Sequence, residues 1–417
     1  MSRTGTMLVP LTALTLAVVL TACSGGPAPA PTPTVEPTYA VTGDGVLRIG
    51  TLFPTTGASA FLGPAQVAGV EVAVREINEA GGVNGALIEV FHRNSGDATT
   101  ETAEAALADL ATKGVDVVIG PSSTQLAERL LEPALAANIP LISPAATLSS
   151  LTAADDSGFI TRTIGSYELQ GAALAAELGA AKTTNVAYLY TDDEAGEALL
   201  GTLTSGIEDE GGSVVYSGIV KSDIAGIVAK AKKAKPDAVV IATPPESVEA
   251  TTALITGLTA AGLGGTTLWL TSGNLADYSQ ALPAGSLTGV NGVLEGAQPD
   301  DAFIARLKQS DPSLTSFRYA AEAYDAVILA ALAVTLVEDD GGPAISRTLR
   351  AASSGGIKCT SYGECLDVLT TESDIDYDGI SGPLDLTEAG DVTAGSFGVF
   401  SYAASNVPAL VRVTVAG

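Results

Sequence analysis

Short apolar runs alternate along this chain with longer segments in which apolar residues recur at helical spacing. This alternation is typical of a parallel sheet, because a parallel crossover needs a connection as long as a helix. Such a sheet is covered by helices on both faces. In the first part of the chain, strands are predicted at 47–52, 87–91, 115–119 and 140–142, and helices at 63–80, 99–113 and 125–137.

The alternation begins again after Arg162 and continues to residue 270. Two similar halves predict an α/β protein of two lobes that face each other across a cleft, each lobe a mainly parallel sheet covered by helices. The roughly 370 residues that follow the N-terminal region suffice for two lobes of about 100–200 residues each. Later helices are predicted at 301–310 and 317–337, and later strands at 397–402 and 410–415.

The N-terminus is typical of an export signal. Arg3 is the only charged side chain before the apolar stretch 7–20, which leads into Leu20-Thr21-Ala22-Cys23. These four residues resemble the lipobox of bacterial lipoproteins, so residues 1–22 are predicted to be a lipoprotein signal peptide and Cys23 the lipid-anchored mature N-terminus. An ordinary secretory signal with an incidental cysteine and an uncleaved anchor are the alternatives. No later segment is expected to supply the apolar length of about 20 residues that a membrane span needs.

Residues 23–45 are predicted to form a tether. Prolines alternate there with small residues, a composition that favours extended polyproline II and builds no core. At about 3.1 Å per residue the tether would reach roughly 70 Å. The expected location is therefore the extracytoplasmic face of a membrane, with the folded part held there by lipid. The prolines are Pro27, Pro29, Pro31, Pro33 and Pro37.

The charge balance and the cysteines restrict partners and redox state. The chain has 47 acidic and 20 basic residues, a formal net charge of -27, which opposes binding to nucleic acid because such binding depends on neutralising phosphates. Of its three cysteines, Cys359 and Cys365 remain after Cys23 is assigned to lipid. In an exported protein these two are predicted to form a small-loop disulfide, with two free thiols as the alternative.

Catalytic and metal motifs are weak in this sequence. His92 is the only histidine, and there is no nucleophile elbow or phosphate-binding loop. No enzyme activity and no cofactor are therefore expected, although a glycosidase with paired carboxylates stays open. The acids from Asp374 to Asp385 have the spacing of a calcium loop, but the last one is Asp and not the bidentate Glu. An acidic turn is the preferred interpretation, and no metal is expected.

Four separated segments resemble the branched-chain amino acid (Leu/Ile/Val) binding proteins of ABC importers, which have the type I periplasmic binding fold. They are "LRIGTLFPTTGASAFLGPAQVAGVEVAVREINEAGGVNG" at 47–85, "VDVVIGPSSTQ" at 115–125, "IPLISPAAT" at 139–147 and "GPLDLTEAGDVTAGSFGVF" at 382–400.

The resemblance implies two lobes joined by three crossovers, near residues 163, 298 and 395. The first lobe would comprise 46–163 and 298–395, and the second 164–297 and 396–417. It further implies an extracytoplasmic lipoprotein, expected to be a monomer, that delivers a small carboxylate-bearing solute to an ABC permease and its ATPase. The solute would be an amino acid or a related compound. A sensor that presents ligand to a membrane receptor and an exported hydrolase are the alternatives.

The predicted strands of the first lobe end in loops rich in small hydroxyl residues, which can bind an anion at helix starts or simply cap the helices. Ser122 and Ser123 lie in one such loop, and Ala145 and Thr147 in the next. In the family that this chain resembles, the ligand carboxylate is bound by a serine of the first loop and by an alanine N–H and a threonine of the second. The resemblance assigns these roles to Ser122, Ala145 and Thr147, with Ser123 as a further candidate.

The second lobe departs from the pattern of leucine binders, which use aromatic side chains and a carboxylate for the ligand ammonium. The corresponding positions fall near Ala195, Pro244 and Ser272, none of which is aromatic or acidic. Asp192 and its neighbouring acids could substitute, with surface solvation as the alternative. Ser272 and Phe61 are candidate contacts. Phe61, Trp269 and Tyr278 could wall the cleft, but a core role is preferred for each of the three. The identity of the ligand stays open at this point.

Overall fold

The computed structural model describes residues 42–417, so the predicted signal peptide, Cys23 and most of the predicted tether lie outside the described residues. The first sheet has five parallel strands in the order β2-β1-β3-β4-β5. Its elements are β1 (Arg48–Phe53), α1 (Gly63–Glu79), β2 (Glu89–Asn94), α2 (Thr102–Thr112), β3 (Val117–Ile119), α3 (Thr124–Ala137), β4 (Leu141–Ser143) and β5 (Ile160–Arg162).

The second sheet has seven strands and draws on two separate parts of the chain. Its first elements are α4 (Tyr167–Ala180), β6 (Asn185–Tyr190), α5 (Glu194–Asp209), β7 (Ser213–Ile219), α6 (Ile224–Ala234), β8 (Ala238–Ala242), α7 (Val248–Ala260), β9 (Leu268–Leu270) and β10 (Asn291–Glu295). The chain then returns to the first sheet with α8 (Asp301–Ser310), α9 (Ala320–Val337), α10 (Gly342–Ala352), β11 (Ile357–Cys359), α11 (Tyr362–Leu369) and β12 (Ile375–Tyr377). The second sheet is completed by β13 (Gly395–Tyr402) and β14 (Pro408–Ala416).

The order of the second sheet is β14-β13-β10-β9-β8-β6-β7, and only the pairs that involve β13 are antiparallel. The predicted α/β class with two mainly parallel sheets under helices is thereby confirmed. We call the five-stranded sheet with its helices the first lobe and the seven-stranded sheet with its helices the second lobe. A small parallel pair, β11 and β12, accompanies the first lobe.

The helix α9 is the core of the first lobe. It packs on α1 so closely that a Cβ on Gly69 would lie 2.2 Å from the carbonyl oxygen of Ala320, which explains the glycine there. With 18 residues and a mean hydropathy of 1.8, α9 is long and apolar enough to cross a membrane, so the expectation that no later segment would be was wrong. Because 83% of the helix is buried in the protein, we assign it to the core.

The chain passes between the two sheets at three places: after β5, after β10 and before β13. These crossovers lie side by side, because a Cβ on Gly395 would lie 2.9 Å from the Cα of Gly165. The backbone N–H of Gly296 donates to the carbonyl of Ser396 across 3.0 Å, which ties the second crossover to the third. Gly296 has φ of +93°, a value that favours glycine.

Residues 42–45, assigned to the tether from sequence, are bound to the first lobe. The backbone N–H groups of Thr42 and Gly43 donate to Asp339 Oδ1 across 3.1 and 2.9 Å. The next carboxylate, Asp340, accepts from Gly45 N across 2.9 Å. The end of the tether is therefore fixed by the two acids that follow α9.

Cys359 and Cys365 are joined by a disulfide, with their Cα atoms 5.2 Å apart. Both side chains are fully buried and belong to the same apolar cluster as α9. The bond links the end of β11 to α11 and so fixes this small α/β appendage on the first lobe.

Candidate ligand-binding site

The loop that follows β3 in the first lobe starts with a tight turn. A Cβ on Gly120, which has φ of +117°, would lie 2.4 Å from the carbonyl of Leu52, so the turn requires glycine. The next peptide bond, to Pro121, is cis. Ser143 at the end of β4 donates its hydroxyl to the Pro121 carbonyl across 2.6 Å and accepts from Ala146 N across 3.0 Å. One buried serine thus holds the loops after β3 and β4 together.

Four of the predicted ligand-binding positions lie on these two loops. Ser122 Oγ donates to Gln66 Oε1 across 2.8 Å, so this hydroxyl would have to turn to reach a ligand. Ser123 is the N-cap residue of α3, yet its side chain makes no capping bond, which leaves its hydroxyl unused by the helix. Ala145 N lies 3.4 Å from Ser143 Oγ, a long hydrogen bond that a ligand carboxylate could replace. Thr147 is buried, with 8% of its surface exposed.

A buried arginine holds the second loop in place. Arg162, 1% exposed, donates to the carbonyl of Leu148 and to the hydroxyl of Thr152, each across 2.8 Å. Its Nε donates to Asp391 Oδ1 across 2.6 Å. The position of Thr147 between Ala146 and Leu148 therefore depends on a guanidinium at the end of β5.

Tyr167 connects the first lobe to the second. Its backbone N–H donates to the carbonyl of Thr147 across 3.0 Å. Its hydroxyl interacts with the hydroxyls of Thr147 and Ser272, the latter just after β9 in the second lobe. Burial, reinforced by the negative charge of Glu295, raises the pKa of Tyr167 to about 12. The side chain is therefore a neutral hydroxyl that contacts both walls of the cleft.

Glu295, at the end of β10, is the centre of a polar cluster next to Tyr167. Its carboxylate is 4% exposed and accepts from Arg318 Nη2 across 2.7 Å, from the Tyr319 hydroxyl across 2.6 Å and from Gln170 Nε2 across 3.0 Å. Ser272 Oγ in turn donates to Gln170 Oε1 across 3.3 Å. Sequence reasoning named Ser272 but missed the other members of this cluster.

The electrostatics of this cluster are those of a closed ion pair. Burial by itself would raise the pKa of the Glu295 carboxyl, but the charge of Arg318 and the hydrogen bond from Tyr319 hold it below its usual value. Burial lowers the pKa of Arg318 less than the negative charges around it raise it. Both groups are therefore charged at neutral pH, and together they carry no net charge.

The other candidates from sequence lie elsewhere. Asp192 is exposed on the surface, 3.5 Å from the ammonium of Lys221, and takes no part in the cluster. Phe61 is 61% exposed on the loop before α1 and packs in no core cluster, so the core role preferred for it from sequence was wrong. Trp269 and Tyr278 are buried in the apolar clusters of the second lobe, so the core role preferred from sequence is confirmed.

A second contact between the lobes lies further out. The backbone N–H of Ser150, on the loop that carries Thr147, donates to Glu194 Oε1 at the first turn of α5 across 2.8 Å. The bond lies on the exposed side of the molecule. Because its partners belong to different lobes, it is made only when the two lobes are close together.

The ammonium group of Lys358 lies among the acids of the segment from Asp374 to Asp385, which has the spacing of a calcium loop. Lys358 Nζ lies 3.0 Å from Asp376 Oδ1, 2.9 Å from Asp378 Oδ2 and 3.8 Å from Asp385 Oδ2. An ammonium thus takes the position that the calcium spacing would give to a cation. Among residues 42–417, no group of three or more His, Cys, Asp or Glu side chains is arranged to hold a metal ion.

The single histidine has a hydroxyl and a carboxylate beside it, an arrangement that resembles a catalytic triad. His92 Nδ1 lies 2.9 Å from Thr51 Oγ1, and Nε2 lies 2.6 Å from Glu71 Oε1. Thr51 is fully buried inside the first sheet, however, so no substrate can reach its hydroxyl. The hydrogen bonds of this trio link β1, α1 and β2.

Comparisons with known proteins agree with this geometry. The chain is 27% identical over 371 residues to the chemotactic signal transduction system substrate-binding protein BasB of Halobacterium salinarum, covering 84% of this chain and 85% of that protein. The fold is shared with LivJ from Streptococcus pneumoniae in complex with isoleucine, at a TM-score of 0.63 and 18% identity, covering 89% of this chain and 99% of that one.

A third similar structure is the solute binding protein of an ABC transporter from Rhodopseudomonas palustris in complex with p-hydroxybenzoic acid. Its TM-score is 0.65 at 17% identity, covering 89% of this chain and 97% of that one. The sequence pattern of the periplasmic binding protein family matches residues 46–359. The type I periplasmic binding fold inferred from sequence is therefore confirmed, and the chain belongs to the periplasmic binding protein family.

Proposed function

We propose that this protein is an extracytoplasmic solute-binding lipoprotein that delivers a small carboxylate-bearing compound to an ABC importer. The observation that carries the proposal is the set of uncharged donors on the loops after β3 and β4. Ser123, the Ala145 N–H and Thr147 lie there, and neither loop contains an arginine or a lysine. Uncharged donors suit a single carboxylate, because charge-assisted hydrogen bonds contribute about 1.5–3 kcal/mol each.

The opposite wall supports the same function. The hydroxyl of Tyr167, in the second lobe, interacts with the hydroxyls of Thr147 and Ser272, so a ligand placed beside it would contact both lobes. Ligand that contacts both lobes stabilises the closed state over the open one. Closure of this kind is what a membrane permease can recognise in a loaded binding protein.

The direct test is the substitution Thr147→Val, which keeps the shape of the side chain and deletes its hydroxyl. A thermal-shift screen of the protein against amino acids, small carboxylates, amides and polyamines first supplies a ligand. Titration of that ligand is then expected to show affinity roughly tenfold to a hundredfold lower for Thr147→Val, since about 1.4 kcal/mol corresponds to a factor of ten. Thr252→Val, on the surface of α7, is the matched control and should bind like wild type. Equal affinities of wild type and Thr147→Val would contradict the proposed site.

The lipid anchor is tested separately. Cys23→Ala is expected to shift the protein from the membrane fraction to an uncleaved or released form, and mass spectrometry of the wild type should show a lipidated N-terminal cysteine. Unchanged anchoring and processing of Cys23→Ala would exclude the anchor.

A sensor role is the second candidate, and its support is the chemotactic relative BasB. In that role the loaded protein would contact a membrane receptor and not a permease. Genes for a permease and an ATPase next to this one favour transport, whereas a gene for a membrane receptor in that position favours sensing.

A further inference from the structure

We propose that the ligand of this cleft is a carboxylic acid without an ammonium group, which presents a neutral hydrogen-bond acceptor to Arg318. The inference rests on the proposed function and narrows its ligand class. It excludes zwitterionic amino acids and favours oxo, hydroxy or aromatic acids.

The charge of the buried Glu295 carboxylate beside the cleft is already neutralised by Arg318. Glu295 accepts from a guanidinium, a phenol and an amide at 2.6–3.0 Å, so its oxygens are engaged by protein donors. A ligand ammonium next to this pair would meet the positive charge of Arg318 as closely as the negative charge of Glu295. Burying that ammonium would be costly, because a charge removed from water needs its own partner.

The other carboxyl groups nearby offer no buried negative charge. Glu322 lies next to the cluster, but burial raises its pKa to about 8, so it is neutral at pH 7. The acids after β6 are used by other groups, and the acid after β8 is exposed to water, where an ammonium would stay hydrated. They are Asp192 with Lys221, Asp193 with Gly196 N, Glu194 with Ser150 N, and the exposed Glu246.

One N–H group of Arg318 has no hydrogen-bond acceptor among the described residues. Its Nη2 is bonded to Glu295 and its guanidinium lies 4.9 Å from the centre of the Tyr319 ring, while its buried Nε has no hydrogen-bond acceptor among residues 42–417. Buried donors are normally paired, so an acceptor is expected here. The side chain as a whole is 24% exposed, although its Nε atom is buried. A carbonyl, hydroxyl or ether oxygen supplies such an acceptor without bringing charge.

The residues between Arg318 and the loop that carries Thr147 are apolar. The ring of Tyr319 packs in a cluster with Ala145, Ile164 and Leu62, directly beside the loop that carries Thr147. A ligand held at one end by Thr147 and at the other by Arg318 would lie along this surface. Aliphatic or aromatic bodies fit it better than polar ones.

The experiment compares acids that share a carbon skeleton and differ only in the amine. The probes are L-leucine and its α-keto acid, and L-phenylalanine and its α-keto acid, titrated calorimetrically against the full folded protein. We expect the keto acid of at least one pair to bind at least tenfold more tightly than its amino acid. An amino acid that binds as tightly as its keto acid, or more tightly, in every pair that binds would overturn the inference.

The substitution Arg318→Gln tests the charge argument itself. It leaves Glu295 without its cation and so creates the negative charge that an ammonium needs. The affinity for the keto acid is expected to fall at least tenfold, and the ratio of keto-acid to amino-acid affinity to fall with it. The double variant Arg318→Gln/Glu295→Gln is the control, because it removes both charges and should not gain affinity for amino acids. An unchanged ratio in a folded Arg318→Gln variant, checked by circular dichroism melting, would contradict the role of Arg318.

Failure of the inference can be told apart from failure of the proposed function. Tighter binding of amino acids with loss of affinity in Thr147→Val would keep the carboxylate site and exclude only the ligand class. If no carboxylate in the wider thermal-shift panel binds, with or without an amine, the proposed function fails and the inference falls with it.

Discussion

Glu322 Oε1 accepts a hydrogen bond from the backbone N–H of Ala297 across 2.5 Å, at the point where the chain leaves β10 for the second crossover. The carbonyl of the same residue accepts from Thr163 Oγ1 across 2.8 Å, on the first crossover. One residue at the start of α9 therefore holds two of the three connections between the lobes. Its second carboxyl oxygen is buried without a partner among the described residues.

The titration of Glu322 should make stability fall as pH rises. Burial raises its pKa from 4.5 to about 8, so the folded protein keeps a proton that the unfolded chain releases above about pH 4.5. The contribution of the neutral carboxyl is complete below pH 4.5 and is lost as pH approaches 8, at about 1.4 kcal/mol per pH unit. Glu322→Gln should remove this loss, so its melting temperature relative to wild type should increase between pH 5 and pH 9. Glu249→Gln, on the exposed face of α7, is the control, and parallel curves for wild type and Glu322→Gln would contradict the assignment.

Arg162 should matter for both stability and binding. Arg162→Met leaves Asp391 without its cation and frees the loop that carries Thr147, so we expect a loss of about 3 kcal/mol in urea unfolding. Faster hydrogen exchange at residues 146–152 should accompany it. Arg350→Met is the matched control, since that guanidinium pairs with Glu388 at the surface and is worth at most about 1 kcal/mol. Equal stability of the two variants would show that Arg162 does not hold the loop.

Asp339 should determine whether proteases can cut within residues 42–46. Hydrogen bonds from Gly341, Gly43 and Thr42 outweigh burial and lower the pKa of this carboxyl. Asp339→Asn weakens these charge-assisted bonds, so proteases are expected to cut within residues 42–46 of the variant and only before residue 42 in wild type. Mass spectrometry of the limited digests gives the cleavage sites. Asp374→Asn, at an exposed position, should leave the digestion pattern unchanged.

The disulfide is expected to contribute modestly to stability. A bond between Cys359 and Cys365 closes a loop of only a few residues, for which about 2 kcal/mol is expected. Cys359→Ser/Cys365→Ser should therefore unfold at lower urea concentration than wild type. Peptide mapping without reductant should recover residues 359 and 365 in one cross-linked species, and two thiols open to alkylation in the native protein would refute the pairing.

The elements with a clear hydrophobic period could be predicted closely from sequence. Helices α1 and α8 begin where apolar residues start to recur every three or four positions, and their observed starts equal the predicted residues 63 and 301. Strands β5, β10, β11 and β12 were missed, and the first two show why. β5 is a three-residue strand that ends in the buried Arg162, and β10 contains Gly292 and ends in Glu295. Charged and glycine residues are poor local signals for a strand, so only the neighbouring strands reveal these two.

The two walls of the candidate site also differ in how well they could be predicted from sequence. The loops that carry Ser123 and Thr147 follow strands that could be predicted, and hydroxyl residues at the ends of parallel strands are a local signal. The cluster around Glu295 has no such signal. Arg318 and Glu295 are 23 positions apart in irregular or unpredicted segments, and they meet only because the crossovers pack together. Contacts made by crossovers depend on the whole fold and carry no periodicity.

The contact between Gly165 and Gly395 limits how the cleft can open. Two backbone segments that touch without side chains between them bend as one band and cannot slide apart without losing their packing. The lobes can then move mainly by rotating about this pair of segments. A longer bound solute would therefore hold the lobes at a wider angle. A partner that binds only the ligand-bound protein would then recognise the angle between the lobes.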